Sequence, residues 1–288
     1  MKKPQWITIG AALVLTLALF FFGRTLPRHT EKVAETHSED DGHDHGPAPA
    51  AVTIDSILLV GKKELNTEQL SRITMLENSI SRGDVQAQQL KVFHQLSHFW
   101  GDSMRYFPAY GWYEAEAARL ENSEKTLTFA ARLFLEYLQQ EPDAGLRKWE
   151  ALQAKDLFER ALAINPANDS ARVGLGSAYL FGGASDNPME GIALIRQVVA
   201  KDSTNVYAQL TLARGALMTG QLDKVIERLE IVHKVDPANI EAILMLADTH
   251  ERMKNKAEAI KWYMESLKHV RRQDVRSDIE ARIAELKK

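Results

Sequence analysis

A spacing of about 34 residues organises the second half of this chain. The segment Ala154-x3-Phe158-x2-Ala161-x4-Pro166 returns as Val225-x3-Leu229-x2-Val232-x4-Pro237, and again as Ala259-x3-Tyr263-x2-Ser266. Asn-Pro-Ala-Asn at 165–168 is echoed by Asp-Pro-Ala-Asn at 236–239. Ser203 takes the proline's place between them, 34 residues before Pro237 and 37 after Pro166, with the three extra residues in the 182–188 loop. Apolar residues at i, i+3 and i+4 read as helices. A unit this short cannot bury its apolar face alone, so such units stack on their neighbours.

Each unit also has a first helix, marked by Leu175-Gly176-x2-Tyr179, Leu212-Ala213-x2-Ala216 and Leu246-Ala247-x2-His250. Phe158, Ile195, Leu229 and Tyr263 stand in the second helices. The pattern resembles the tetratricopeptide repeat (TPR), whose motif is W-x2-L-G-x2-Y, then A-x3-F, then P. Arg172, Gln209 and Ile243 replace the tryptophan, and a degenerate earlier copy is read through Ala130, Phe134 and Pro142. The resemblance implies an all-α solenoid of antiparallel helix pairs whose first helices line a groove for another protein or peptide. In this register the groove residues are Ser177, Tyr207, Leu210, Arg214, Met218, Glu241, Asp248 and Arg252, beside Val173, Phe181 and Leu244. Arg214 suits a partner's carboxylate, and Met218 adapts to varied apolar side chains. The alternative is a solvated face with an internal Arg214–Asp248 pair. Chaperone-binding relatives hold a peptide carboxylate with a Lys and Asn cluster, which this face lacks. Gly176, Ala213 and Ala247 are small where helices must approach closely, and Gly220 and Asn255 fall in turns that favour a left-handed residue.

The N-terminus reads differently. Residues 6–23 run eighteen positions without a charge, about 27 Å as a helix and close to the hydrocarbon thickness of a bilayer. No small-x-small site follows the run, so the expectation is an uncleaved transmembrane anchor over residues 1–28. Lys2 and Lys3 precede the run and Arg24, Arg28 and Lys32 follow it, a near tie in flanking charge. The expected localisation is the bacterial inner membrane, single-pass, with a periplasmic body. Residues 29–52, acidic and rich in His and Pro, read as a disordered linker too poor in apolar side chains to fold. His37, His43 and His45 among its carboxylates suit weak capture of Zn, Ni or Cu; a plain solvated tether is the alternative reading.

Between linker and repeats, residues 53–123 read as helices, with Asn66 or Thr67, Asp84 and Ser123 as caps, Pro108 opening a helix, and Pro142 and Gly145 stopping another. The repeats occupy 124–273, and 274–288 reads as a capping helix with Ile279, Ile283 and Leu286 inward and Arg276 and Arg282 in water. The aromatic run from Phe99 to Tyr113 is either a stacking platform or a packed helix corner, and rings that bury large areas favour packing. His94 and His98 lie one turn apart without a third ligand, and Glu114 and Glu116 lie on different helix faces. No Gly-rich phosphate loop, G-x-S-x-G or H-E-x-x-H occurs. With 36 basic against 39 acidic residues the chain lacks the charge of a general nucleic-acid binder, and without cysteine it holds no disulfide or thiolate site. The chain therefore reads as a membrane-anchored scaffold or adaptor, not an enzyme, engaged in cell-envelope assembly. A metal-handling tether and a self-associating module are the alternatives.

Overall fold

The computed structural model describes residues 52–80 and 85–288. Its elements in chain order are α1 (Ile54–Lys62), α2 (Thr67–Ile80), α3 (Gln86–His98), a wide helical turn (Phe99–Ser103), α4 (Phe107–Glu121), α5 (Glu124–Leu138), α6 (Ala144–Ile164), α7 (Asp169–Gly182), α8 (Pro188–Lys201), α9 (Val206–Met218), α10 (Leu222–Val235), α11 (Ile240–Arg252), α12 (Lys256–Ser266) and α13 (Gln273–Leu286). Strands are absent among the described residues. Antiparallel hairpins α5/α6, α7/α8, α9/α10 and α11/α12 stack in order, and α5, α7 and α9, the first helices, also touch in sequence. This is the all-α, TPR-like solenoid that the spacing predicts.

The membrane part of the expected fold is corrected. Among the described residues no helix is long and apolar enough to cross a membrane. The longest, α6, carries Arg147, Lys148, Glu150, Lys155, Asp156, Glu159 and Arg160, a set of charges that hydrocarbon does not accept. The expected transmembrane helix and single-pass inner-membrane localisation are therefore not retained. Segment 6–23, the linker through residue 51, and His37, His43 and His45 lie outside the described residues, as does the expected cap Asp84.

Polar caps set where each repeat begins. Asn168, Asn205 and Asn239 each accept a hydrogen bond from the amide of the alanine three residues on, Ala171, Ala208 and Ala242, at 2.8, 2.9 and 3.0 Å. Such a cap satisfies one of the orphan amides at a helix start. Fifteen residues after each asparagine the backbone turns left-handed, at Gly183 (φ 66°), Gly220 (φ 70°) and Lys254 (φ 62°). The expected left-handed Asn255 is instead the cap of α12, with its side chain accepting from Glu258 N. Ser123 caps α5 through Thr126 N. Asp143 caps α6, so Gly145 sits inside the first turn of that helix and does not stop its predecessor.

Small residues let the hairpins close. A Cβ on Gly191 would stand 2.5 Å from the Gly176 carbonyl oxygen, and one on Gly176 would stand 2.7 Å from that of Gly191. Main chain thus meets main chain between α7 and α8, and neither side can yield as a side chain would. Ala213 and Ala247 are fully buried at the equivalent place in the next two hairpins. The aromatic run is packing: Trp100 is fully buried, edge-on to Phe99 (5.3 Å between ring centres) and 5.8 Å from Tyr106. At the C-terminal end Ile279 and Ile283 bury against the last hairpin. Arg276 and Arg282 are not simply solvated. Arg276 donates to the carbonyls of Leu267 and Val270 beyond α12, and Arg282 pairs with Glu251 of α11.

Two substitutions test this account. Lys254→Gly relieves a left-handed residue with a Cβ and should stabilise the protein by about 1 kcal/mol. Gly191→Ala should destabilise it by about 1–3 kcal/mol, because overpacking against main chain outweighs alanine's helix propensity. Thermal midpoints of the two variants should move in opposite directions.

Candidate functional site

The three capping asparagines and Ser123 give each first helix the same origin, which makes their faces comparable. Arg132, Ser177, Arg214 and Asp248 stand nine residues after their caps. Tyr207 and Glu241 stand two after theirs. Adjacent first helices are staggered, so position nine of one meets position two of the next. The Ser177 hydroxyl lies beside the Tyr207 hydroxyl, and Arg214 Nε donates to Glu241 Oε1 at 2.7 Å. The Arg214–Asp248 pair of the alternative reading does not form. Asp248 instead accepts from Tyr263 of its own hairpin at 2.5 Å.

Across this face lies a cleft of about 570 Å³. Leu138, Phe181, Leu217 and Met218 give it apolar walls, and Glu141, Pro142, Arg147 and Arg214 stand at its polar side. Met218 is 67% exposed. Arg147 donates to the carbonyls of Glu141 (3.0 Å) and Pro142 (3.1 Å), holding the loop between α5 and α6. A second hollow of about 580 Å³ runs along α5, lined by Lys125, Thr128, Phe129, Arg132 and Glu136 among others.

Tyr207 lies between the two. Burial raises the pKa of its hydroxyl, while Ser177, Arg132 and Arg214 each favour the ionised oxygen. Arg132 and Arg214 thus both act electrostatically on the Tyr207 hydroxyl, beside which the Ser177 hydroxyl lies. Arg132 is exposed and makes no ion pair among the described residues. An acidic group placed there meets positive charge from α5 and α9 at once.

The eight residues expected to line a groove fall into three groups. Tyr207, Arg214 and Ser177 converge, and Met218 joins them through the cleft. Ser177 and Leu210 are buried, so they floor the face. Glu241 is engaged with Arg214, Asp248 with Tyr263, and Arg252 lies beyond them at the end of α11. Arg132, Leu138, Arg147 and Leu217 were not among the expected residues. The signal for Arg132 was the offset from Ser123: Leu127, Ala130, Ala131 and Phe134 stand four, seven, eight and eleven residues after it. Those are first-helix positions, so the copy read as a second helix through Ala130, Phe134 and Pro142 is a first helix.

His94 and His98 do not converge on a metal site. His94 lies 4.0 Å from Glu114 and His98 3.0 Å from Asp102, and no cluster of three or more potential metal ligands occurs among the described residues.

Glu150 stands one helical turn after Arg147, which lines the cleft. It is 1% exposed, and its Oε2 finds no hydrogen-bond partner. Burial pushes its pKa from 4.5 up to about 8, with Glu141 adding to the rise and Arg147 opposing it. The folded protein therefore holds this proton at neutral pH, whereas the unfolded chain has released it. Stability must fall as pH rises from 4.5 to about 8. Glu150→Gln should raise stability by roughly 3 kcal/mol at pH 7. The gain should vanish below pH 4.5, which urea unfolding at pH 4 and pH 7.5 will check.

No protein-family model and no curated protein matches the sequence. Among solved structures the chain is similar to MamA, with 18% identity and a TM-score of 0.42 over 59% of this chain and 91% of that one. It is similar to YrrB, described as a TPR protein with an unusual peptide-binding site, with 15% identity and a TM-score of 0.41 over 72% of this chain and 97% of that one. It is also similar to yeast Tom70, with 12% identity and a TM-score of 0.32 over 76% of this chain and 58% of that one.

Proposed function

We propose that the chain is a protein-interaction scaffold whose first helices α5, α7 and α9 bind an extended segment of another protein. The bound segment presents an apolar side chain to the cleft of Leu138, Phe181, Leu217 and Met218. It presents a carboxylate to Arg132 and Arg214 above Tyr207. The observation that carries this reading is an apolar cleft with Arg214 on its lining, near Tyr207, whose hydroxyl Arg214 and the unpaired Arg132 both favour in its ionised form. Apolar walls with a few placed polar groups are what a recognition site for a side chain requires. Met218 suits a surface that must adapt to its ligand.

Selection from a random peptide library should enrich sequences that combine an acidic residue with Leu, Phe or Met nearby. Arg132→Glu should weaken the selected peptides by about 10-fold or more, the scale of a lost charge-assisted hydrogen bond. Its circular dichroism should be unchanged, because Arg132 is exposed and holds no other element in place. Enrichment of basic or featureless peptides, or undiminished binding by Arg132→Glu, would overturn the reading.

A further inference from the structure

Burying a carboxyl group without a partner is costly. Glu150 on α6 is the only buried acidic side chain among the described residues, and its Oε2 has no hydrogen-bond partner. Its neighbours along the helix hold α6 in place. Trp149 packs against Phe134 of α5 and Trp112 of α4, with ring centres 5.8 and 6.3 Å away, and Ala151 is fully buried where Gly182 of α7 closes on it. The charges that act on Glu150 are Glu141, in the loop between α5 and α6, and Arg147, earlier on its own helix; α4, α5 and α7, which pack on α6, contribute none. Arg147 is committed elsewhere. Its Nε donates to the Glu141 carbonyl at 3.0 Å and an Nη to that of Pro142 at 3.1 Å, which ties the loop to the start of α6. Residues three apart on a helix are neighbours, so the same guanidinium is within reach of a carboxylate at position 150. A neutral carboxyl gives it little reason to move, whereas an ionised one offers an ion pair that a carbonyl does not.

We propose that Glu150 is a proton-operated latch for the loop between α5 and α6. With its proton, Glu150 leaves Arg147 on the carbonyls of Glu141 and Pro142, and the loop is held. Without it, the carboxylate draws the guanidinium away, both carbonyls lose their donor, and the loop is freed. Linkage sets the direction. Burial pushes the Glu150 pKa up to about 8 while the latch is closed, and pairing with Arg147 brings it back to 4.5 or below once the latch opens. Opening therefore releases a proton, and becomes about 10-fold more favourable with each pH unit between 4.5 and 8. Gln139, Gln140, Glu141 and Pro142 line the cleft, so the latch also decides whether the cleft keeps that wall. It belongs to the loop itself and stands whether or not the cleft binds a peptide.

Backbone hydrogen exchange of the full-length protein at pH 6 and pH 8, corrected for the intrinsic pH dependence of exchange, tests the latch. Two loop amides report on it: Glu141 N, which donates to the Tyr137 carbonyl at 3.1 Å, and Asp143 N, which donates to Glu141 Oε1 at 2.8 Å. In the wild-type protein their exchange should quicken by about 10-fold or more from pH 6 to pH 8, while the amides of α10, two hairpins away, keep their protection. Glu150→Gln cannot ionise, so its loop should stay slow at both pH values. Arg147→Met lacks the tie, so its loop should be fast at both. Loop exchange that is the same at both pH values in the wild-type protein, or a pH response that survives in Glu150→Gln, would overturn the proposal. So would a slow loop in Arg147→Met. Quickening of α10 in step with the loop would also overturn it, because ionised Glu150 would then be loosening the whole stack and not one loop.

Discussion

The stack depends on how near two helices of a hairpin can come. Between α7 and α8 the limit is reached, with the carbonyls of Gly176 and Gly191 standing where any side chain would have to go. That approach fixes the hairpin's thickness and so the spacing at which the next hairpin is laid. Ala213 and Ala247 hold the same place further along with one carbon more. Once spacing is fixed, the stagger between first helices follows, and with it which side chains can meet. Tyr207 reaches Ser177, and Arg214 reaches Glu241, for the same geometric reason.

The candidate site draws its character from what the stagger leaves unmatched. Ser170 stands two residues after the cap of α7, the position Glu241 holds on α11, and carries no charge. The corresponding place on α11 holds Glu241, so Arg214 is paired. Arg132 on α5 therefore makes no ion pair among the described residues, and the acidic side chains of α11 are already engaged. Buried Glu150, one turn from Arg147, stays neutral near pH 7 and adds no negative charge there.

Much of this is legible before any coordinates. Spacing and small residues together point to the architecture, because each is a local requirement that recurs from one repeat to the next. The first copy is misread from sequence because Ala130 and Phe134 satisfy the second-helix spacing as well as the first; only their distance from Ser123 separates the two. That ambiguity hides Arg132. The partner of Arg214 escapes for another reason. Residue faces can be read from a helix period, but the axial offset between neighbouring helices depends on packing depth, which periodicity does not encode. Lys254 shows a related gap: composition favours a left-handed turn beside it at Asn255, yet the fixed distance from Asn239 places the turn at a lysine.

The grip of α13 on the last hairpin has a kinetic meaning. In a stack where each layer touches only its neighbours, opening starts at an end and proceeds inward, because an end layer has one interface to lose. Arg282 reaches back to Glu251 on α11, and Arg276 holds the carbonyls that follow α12, so both helices of the final hairpin are tied to the element beyond them. Release of α13 therefore breaks contacts to two helices, not one. Helix α2, toward the other end of the described chain, rests chiefly on α3, and the first-helix cleft lies between the two.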